Sequence, residues 1–246
     1  MTEGTLFNKD QVDIWTIKLV QPENVINALY WKLSEEERNQ FVRFRYSQER
    51  KRFIICHGAV RQIMASYIGK PSYRIKIEAN QNGKPVIWKK EGGVEIQFNY
   101  SHSEDLAICA VTPTRNVGVD IEFIHPFVNV EELVKSNFSF EENKFFEAVD
   151  SRQKLNMFFT LWCRKEAFIK AIGKGLSYPL NEFTMLDGRS TAHFKPVKLG
   201  WRSSLAGYWF YTDLSISPGY ASTLVVEGSG VKSLKHHEWI MDFNQP

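Results

Sequence analysis

Two long helical segments, each followed by strand-like segments, constrain the fold of this 246-residue chain more than any other feature. The first helix is predicted at about 48–68, where apolar residues recur at helical spacing until a Gly-Lys-Pro stretch ends it. The second is predicted at about 152–172, where two glycines end it. Strand patterns follow the first helix at 94–100, 105–111 and 116–123, and the second at 181–187, 207–216 and 220–227.

This repeated order predicts an α+β fold built from two similar α/β halves, related by a pseudo-two-fold axis, with an active-site cleft between them. We place the boundary near 112–115, which gives an N-terminal half at 1–112 and a C-terminal half at 113–246. A chain of this length can bury a core in one large domain or in two smaller ones. If two halves together form one site, a monomer is sufficient.

Short motifs indicate where several helices and one hairpin begin. Ser34 with Glu37, and Ser139 with Glu142, have the spacing of a capping box. Ser47 is predicted to cap the helix that follows it. An alternating stretch turns at the Asn-Gly pair of QNGKP and then alternates again, which predicts a β-hairpin.

Composition excludes several classes of protein. Hydrophobic residues make up 43% of the chain and charged residues 24%, and no apolar run approaches the ~20 residues of a membrane helix. The first ten residues lack the pattern of a secretory signal, so we expect a cytoplasmic protein without a membrane partner. Cys56, Cys109 and Cys163 have neither CxxC nor Cys/His ligand spacing, which favours reduced, buried thiols.

The net charge of +3 is too small to indicate nucleic-acid binding by itself. A basic stretch at 43–52, RFRYSQERKR, is explained equally well by a solvated helix face and by a phosphate-binding patch. A nucleic-acid binding module, with Phe44 and Tyr46 stacking on bases, is the non-catalytic alternative. The chain has no recognised RNA or DNA motif, so we expect no nucleic-acid partner.

Two acidic side chains interrupt the most strand-like segment of the chain. In VGVDIEF, side chains alternate between the two faces of the strand, so Asp120 and Glu122 lie on one face. Their separation at the rise of a strand is about 7 Å. Gly118 precedes them on the same face and is expected to leave room beside them.

A third acid lies on the second predicted helix. Glu166 is four residues from Trp162 and from Lys170, so the three side chains share a face. An exposed Glu166–Lys170 pair and a solvated sheet face are the ordinary structural alternatives. Taken together, three acids that point inward repel one another unless a cation holds them. Magnesium binds oxygen ligands and usually completes its shell with substrate phosphates, so the acids indicate phosphate chemistry.

Four motifs together resemble the 4′-phosphopantetheinyl transferases of the larger, pseudo-dimeric type that activates surfactin synthetase. The motifs are NGKP at 82–85, FNYSHS at 98–103, GVDIE at 118–122 and WCRKEAFIKAIGKG at 162–175. Each motif alone is weak, but four in this order are specific. The chain departs from the family at two positions. Tyr100 stands where the family usually has Ile or Val, and Cys163 stands where Ser is frequent.

The resemblance implies an enzyme that transfers the phosphopantetheine arm of coenzyme A to a serine of an apo acyl or peptidyl carrier protein. The second product is adenosine 3′,5′-bisphosphate. By similarity, Asp120, Glu122 and Glu166 hold Mg²⁺, which neutralises charge on the pyrophosphate. Lys170 contacts the pyrophosphate and stabilises or protonates the leaving phosphate. As a further hypothesis, Glu166 takes the serine proton, directly or through water.

The resemblance also implies which residues bind coenzyme A. Ser101 and His102 contact it, with the histidine near the phosphates, and Lys165 lies beside Lys170. The turn formed by Gly83, Lys84 and Pro85 holds the adenine end, with Lys84 supplying charge. From the basic stretch, Arg52 is the first candidate for the 3′-phosphate.

Other interpretations remain open at this stage. The acids and lysines also suit a magnesium-dependent nucleotide or phosphodiester hydrolase, which would turn over coenzyme A without a carrier. The segment at 126–140, PFVNVEELVKSNFSF, is explained equally well by a docking site for an acidic carrier helix and by buried packing. The carrier itself is not specified by the sequence.

Overall fold

A computed structural model describes residues 8–41, 44–87, 96–126, 129–175, 178–186, 193–200, 205 and 207–244. Its helices are α1 (Glu23–Tyr30), α2 (Glu35–Phe41), α3 (Ser47–Ile68), α4 (Val130–Asn137), α5 (Phe140–Glu147) and α6 (Lys154–Ile172). The strands of residues 8–126 are β1 (Gln11–Lys18), β2 (Glu78–Ala79), β3 (Pro85–Val86), β4 (Gln97–Ser103), β5 (Leu106–Thr112) and β6 (Val117–Phe123). The later strands are β7 (Phe183–Thr184), β8 (Lys195–Pro196), β9 (Lys198–Leu199), β10 (Trp209–Asp213), β11 (Tyr220–Glu227) and β12 (Ser233–Glu238).

Two four-stranded sheets organise these elements, which confirms the α+β class. The first sheet has the strand order β12-β1-β5-β4 and the second has the order β6-β11-β10-β8. All neighbours in the two sheets are antiparallel except β1 and β12, which run parallel. Two small two-stranded sheets, β2-β3 and β7-β9, complete the described topology. That the halves are related by a pseudo-two-fold axis stays a prediction.

Each large sheet packs one face against a long helix. Buried residues of α3, such as Ile55 and Ile63, share a hydrophobic core with Phe98 of β4. On the second sheet, Phe168 of α6 shares a core with Val225 of β11. A further core joins the two sheets themselves, with Val12, Ile14, Ile108 and Ala110 from the first and Val117, Val119, Ile121, Leu224 and Val226 from the second. Burial on both faces explains why β5, LAICAVT, is a nearly continuous apolar run.

Most of the local predictions agree with the structure. Both capping boxes form, at Ser34 and at Ser139, because each serine hydroxyl accepts the N–H of the glutamate three residues on and each glutamate reaches back. Left-handed Gly69 and Gly173 end the two long helices. The cap predicted for Ser47 is wrong, because Tyr46 occupies the N-cap and Ser47 is the first helical residue.

Some strands are shorter than predicted. The hairpin forms, but β2 and β3 have only two residues each, and residues 88–95 lie outside the described part of the chain. Of the strand predicted at 181–187, residues 181 and 182 belong to a 3₁₀ turn at 180–182, only two residues pair as β7, and residue 187 lies outside the described part. The three cysteines are free and buried, as expected. Within the described ranges, no helix is long and apolar enough to cross a membrane.

The pairing of β1 with β12 joins the two ends of the described chain. The register runs from Gln11 opposite Ser233 to Thr16 opposite Glu238, and Trp239 is buried in the core of the first sheet. A strand from the predicted C-terminal half, 113–246, therefore belongs to the first sheet. The boundary near 112–115 stays a prediction about sequence segments.

Glu37 gives the first testable prediction, because it neutralises a buried arginine. Its carboxylate accepts from Arg61 Nε at 2.6 Å and lies 3.2 Å from His57 Nδ1, and Arg61 is almost fully buried. Burial alone would raise the pKa of Glu37, but His57, Arg61 and the Ser34 N–H together lower it to about 2. Glu37→Gln is expected to lower the unfolding free energy at pH 7 by about 3 kcal/mol.

The pH dependence of that loss follows from the sign of the shift. A depressed carboxylate pKa contributes stability above the ordinary value of 4.5, and this contribution is lost as pH falls towards 2. The difference between wild type and Glu37→Gln should therefore shrink by about 2 kcal/mol between pH 7 and pH 3. Urea unfolding of both proteins at several pH values measures this difference in unfolding free energy. A difference that does not change with pH would contradict the assignment.

Candidate functional site

The candidate site lies where β4, β6 and the C-terminal half of α6 meet. Asp120, on β6, is 1% exposed because β11 pairs with its strand and α6 covers it. Gly118 lets the helix come this close. A Cβ built at Gly118 would lie 2.1 Å from Ala167 O and 2.4 Å from Ala171 N. The space expected beside the acids is therefore filled by the backbone of α6, which brings its side chains to β6.

Strands β4 and β6 are joined by side chains. The Asn99 carbonyl Oδ1 accepts the N–H of Val119 at 3.0 Å, and the Ser103 hydroxyl accepts the N–H of Phe123 at 3.0 Å. Between them, the Ser101 hydroxyl donates to Asp120 Oδ1 at 2.8 Å. Alternate residues of β4 thus point at β6, as strand geometry requires. Asn99 and Ser103 were not singled out in the sequence, although their spacing around Ser101 in FNYSHS carried that signal.

Lys170, Asp120 and Ser101 form a closed hydrogen-bonded triangle. The Lys170 ammonium donates to Asp120 Oδ1 at 2.6 Å and to the Ser101 hydroxyl at 2.8 Å. Burial lowers the pKa of Lys170, but Asp120, Glu166 and Glu122 outweigh it, so the net pKa is raised. The lysine is therefore held protonated beside a buried carboxylate. An exposed Glu166–Lys170 pair is not what the structure contains, since Lys170 pairs with Asp120.

The other two predicted acids are half-buried and electrostatically coupled to Asp120. Burial, followed by the charge of Asp120, raises the pKa of Glu166 to about 7, with Lys170 acting in the opposite direction. Burial and Asp120 also raise the pKa of Glu122, although its Oε2 accepts a hydrogen bond from the Ser103 hydroxyl at 3.0 Å. The charge of Asp120 therefore disfavours the charged forms of Glu166 and Glu122. This is the situation that a bound cation relieves.

The donor set fits a hard divalent ion by charge and by chemistry. Asp120 Oδ2 is buried and has no hydrogen-bond partner, so one oxygen of the central acid is free to act as a ligand. Carboxylate oxygens are the donors that Mg²⁺ prefers. Across the described ranges, however, no three Asp, Glu, His or Cys side chains stand ready to hold a metal. Lys170 supplies the neutralising charge instead, and the metal ligands stay a prediction.

A groove of ≈ 1220 Å³ lies on the other side of β4. It is lined by residues of α2, α3, the β2–β3 hairpin and β4, including three predicted coenzyme A contacts, Gly83, Pro85 and His102. Burial and the charges of His57 and Lys170 lower the pKa of His102, which keeps the imidazole neutral near pH 7. Tyr100, one of the two residues that depart from the family pattern, also lines this groove. Ser101 does not, because it points to Asp120.

Two predicted coenzyme A contacts, Lys165 and Lys84, are engaged elsewhere. Lys165 is fully buried, donates to Leu180 O at 2.6 Å and Phe183 O at 2.8 Å, and pairs with Glu142 at 2.7 Å. The prediction that it lies beside Lys170 is wrong, because it projects from another face of α6. Lys84 lies in the hairpin turn, but its ammonium donates to Val117 O and Ala171 O. Lys84 therefore faces α6. With Lys170, Gly83 and Pro85 it also lines a second cavity of ≈ 250 Å³ between the turn and the helix, and its contact with coenzyme A stays a prediction.

The predicted phosphate contact Arg52 is ion-paired with the turn between β4 and β5. Its Nη2 lies 2.8 Å from both Glu104 and Asp105. Arg52 is not among the residues that line the groove. Elsewhere in the basic stretch, Lys51 pairs with Glu23 and Arg50 Nε donates to Phe44 O. The described part of the stretch, 44–52, is therefore held by separate local contacts, and residue 43 lies outside the described part of the chain.

The segment at 126–140 packs some of its apolar residues against the rest of the chain, while most of its other described side chains are exposed. Val130, Val134 and Phe138 are buried in a core with Phe158, which favours the buried-packing interpretation for these three. Phe140 is 68% exposed, and the Lys144 ammonium lies 4.4 Å from its ring centroid. Residues 127–128 lie outside the described part of the chain. Glu142, left out of the predicted ligand set, is buried in its capping box and pairs with Lys165.

Comparison with known families matches both parts of the chain. A family model described as the 4′-phosphopantetheinyl transferase superfamily matches residues 116–212. A second, described as the N-terminal part of a 4′-phosphopantetheinyl transferase, matches residues 21–114. The two matches meet close to the boundary predicted near 112–115.

Curated relatives agree with the family models. The 4′-phosphopantetheinyl transferase HetI of Nostoc sp. is 35% identical over 168 residues, which cover 68% of this chain and 71% of the relative. The 4′-phosphopantetheinyl transferase Sfp of Bacillus subtilis is 32% identical, over 62% of this chain and 66% of the relative. The L-aminoadipate-semialdehyde dehydrogenase-phosphopantetheinyl transferase of Homo sapiens is 30% identical, over 60% of this chain and 50% of the relative.

Proposed function

This chain belongs to the 4′-phosphopantetheinyl transferase superfamily, as an enzyme of its larger type, and we propose that it loads carrier proteins from coenzyme A. In the proposed reaction, a serine hydroxyl of an apo acyl or peptidyl carrier protein attacks a phosphorus of the pyrophosphate. The new bond joins the serine oxygen to phosphopantetheine, and the broken bond releases adenosine 3′,5′-bisphosphate. The observation that carries the proposal is the Lys170–Asp120–Ser101 triangle beside the groove lined by Gly83, Pro85 and His102.

The residues of the triangle suit the leaving side of this reaction. Lys170 is a protonated ammonium held by Asp120, so it can neutralise charge on the departing phosphate or donate a proton to it. As an alternative to its role as a metal ligand, Glu166 suits the entering side, where the serine hydroxyl loses its proton, because without a bound cation burial and Asp120 raise its pKa to about 7. Ser101 orients both partners by donating to Asp120 and accepting from Lys170.

A magnesium ion fits the same place. Asp120, Glu122 and Glu166 are the residues that would hold it, and the free Asp120 Oδ2 supports this assignment. When bound, the ion supplies positive charge to the pyrophosphate oxygens and lowers the cost of the negative charge that develops there. The groove, with Gly83, Pro85 and His102 along its walls, is the proposed place for the adenosine end of coenzyme A.

The position of the site residues in the fold bears on the number of subunits that the enzyme needs. β4 belongs to the first sheet, whereas β6 and α6 belong to the second sheet and its covering helix. These are the halves between which we propose the active-site cleft. All the proposed ligands and catalytic groups come from one chain, so we propose that the enzyme acts as a monomer. Size-exclusion chromatography of the active protein tests this.

Intact-mass spectrometry of an apo carrier tests the function directly. The full-length protein, coenzyme A and Mg²⁺ should convert the carrier to a species heavier by one phosphopantetheinyl group, with release of adenosine 3′,5′-bisphosphate. The same mixture without Mg²⁺ and with a chelator should leave the carrier unmodified. Breakdown of coenzyme A at the same rate when no carrier is present would instead support a magnesium-dependent hydrolase.

Lys170→Ala separates catalysis from binding. If Lys170 acts on the leaving phosphate, kcat should fall by about 100-fold or more while KM for coenzyme A changes little. Steady-state loading kinetics at several coenzyme A concentrations measure both constants. Lys235→Ala, which removes an exposed lysine on β12, is the matched control and should change neither. Equal losses in kcat and in affinity would make Lys170 a binding residue only.

A further inference from the structure

The turn of the β2–β3 hairpin grips the C-terminal end of α6. Asn82 Nδ2 donates to Gly173 O at 2.8 Å, and Lys84 Nζ donates to Ala171 O at 2.8 Å and to Val117 O at 3.1 Å. The turn itself is fixed by Asn80 Oδ1, which accepts the N–H groups of both Asn82 and Lys84 at 2.9 Å. Two side chains of one short turn thus bind carbonyls of two other elements.

Two of the carbonyls that the turn binds, those of Ala171 and Gly173, lie at the C-terminal end of α6. The last four C=O groups of an α-helix lack intrahelical donors and carry the negative end of the helix dipole. A lysine ammonium is the natural cap for such an end, and here it comes from a distant hairpin. Burial lowers the pKa of Lys84 to about 8, in keeping with an ammonium that faces protein and not the groove.

The bonds of Lys84 span the two elements that carry the candidate site. Ala171 follows Lys170 directly on α6, and Val117 lies three residues before Asp120 on β6. One ammonium therefore ties the end of the helix that carries Lys170 to the start of the strand that carries Asp120. The 2.6 Å contact between Lys170 and Asp120 depends on how these two elements are placed against each other.

We propose that Lys84 is a positioning residue, which holds α6 against β6 so that Lys170 meets Asp120, with Asn82 as a second anchor. The inference rests on the proposed function for its catalytic consequence. A positioning role differs from the role that the family resemblance implies, in which the Lys84 ammonium contacts coenzyme A directly. The neighbours Gly83 and Pro85 line the groove, whereas Lys84 and Asn82 reach the helix from the same turn. The turn therefore connects the wall of the groove to the helix that carries Lys170.

Lys84→Met in the full-length chain is the test, because methionine keeps most of the stem and removes the ammonium. Carrier loading should show a fall in kcat of about 10-fold or more, with KM for coenzyme A changed less than about threefold. Hydrogen exchange should speed up in the peptide 165–175 at the end of α6 and not in α3. Asn82→Ala should give a smaller fall in kcat and a smaller rise in exchange at 165–175. Lys235→Met should change neither measurement.

Each outcome decides the proposal. A raised KM with unchanged kcat and unchanged exchange would make Lys84 a coenzyme A contact and overturn it. Faster exchange throughout the chain would overturn it in favour of a general loss of stability. If Lys84→Met does not fold, Asn82→Ala alone carries the comparison, and unchanged exchange at 165–175 in that variant is then the contradicting result. A wild type that loads no carrier refutes the proposed function, while the exchange measurement still decides whether Lys84 holds α6.

Discussion

Asp120→Ala is expected to abolish carrier loading, with kcat/KM lowered by at least about 1000-fold while the protein stays folded. The buried carboxylate is the common partner of Lys170 and Ser101, so its removal separates the groups proposed to act on the leaving phosphate. It also removes the central proposed ligand for magnesium. Intact-mass detection of the loaded carrier over long incubation measures the residual rate, and circular dichroism reports whether the fold is kept.

A matched control is available in the first sheet. Asp13 on β1 is also a buried strand aspartate, where it accepts hydrogen bonds from Gln11 and Tyr67. Asp13→Ala should lower the unfolding free energy, as the loss of any buried hydrogen-bonded carboxylate does, but the folded fraction should load the carrier. Loading by Asp120→Ala at the wild-type rate would refute both the metal assignment and the role of the triangle.

The sequence alone predicts the parts of the fold that rest on local signals. The helices α3 and α6, the strands β4, β5, β6 and β11, and both capping boxes follow from periodicity, cap residues and turns. The pairing of β1 with β12 has no such signal, because more than 200 residues separate strands that run parallel. The polar sequence of β12, SLKHHE, also gives no apolar alternation from which to infer a strand.

The candidate site shows the same division between local and long-range information. Strand alternation predicts that Asp120 and Glu122 share a face, and helix spacing predicts that Glu166 and Lys170 do. The same spacing also separates Lys165 from Lys170, since five residues correspond to about 140° around a helix. The expectation that they lie together was therefore avoidable. By contrast, the sequence could not predict that the Lys84 side chain points to α6 and away from the groove. Its direction depends on where the hairpin and the helix meet in the fold.

Gly118→Ala is expected to damage stability and catalysis together. The added Cβ would lie 2.1 Å from Ala167 O and 2.4 Å from Ala171 N, both backbone atoms of α6, so no side chain can rotate to make space. The helix must move away by about 1 Å to reach ordinary contact, as expected for overpacking a close helix–strand contact. We expect a loss of about 3 kcal/mol or more in unfolding free energy. We also expect a large fall in kcat in the folded fraction, because Lys170 moves away from Asp120.

Gly58→Ala is the matched control for this prediction. Its Cβ would lie 2.8 Å from Leu29 Cβ, where α3 packs against α1, so the two helices need to separate by less than α6 and β6 must at Gly118. The unfolding free energy of this variant should fall by only about 1–2 kcal/mol, and the variant should load the carrier at the wild-type rate. Urea unfolding and loading kinetics on both variants make the comparison. Wild-type kcat in Gly118→Ala would show that the close approach of α6 to β6 is not what places Lys170 on Asp120.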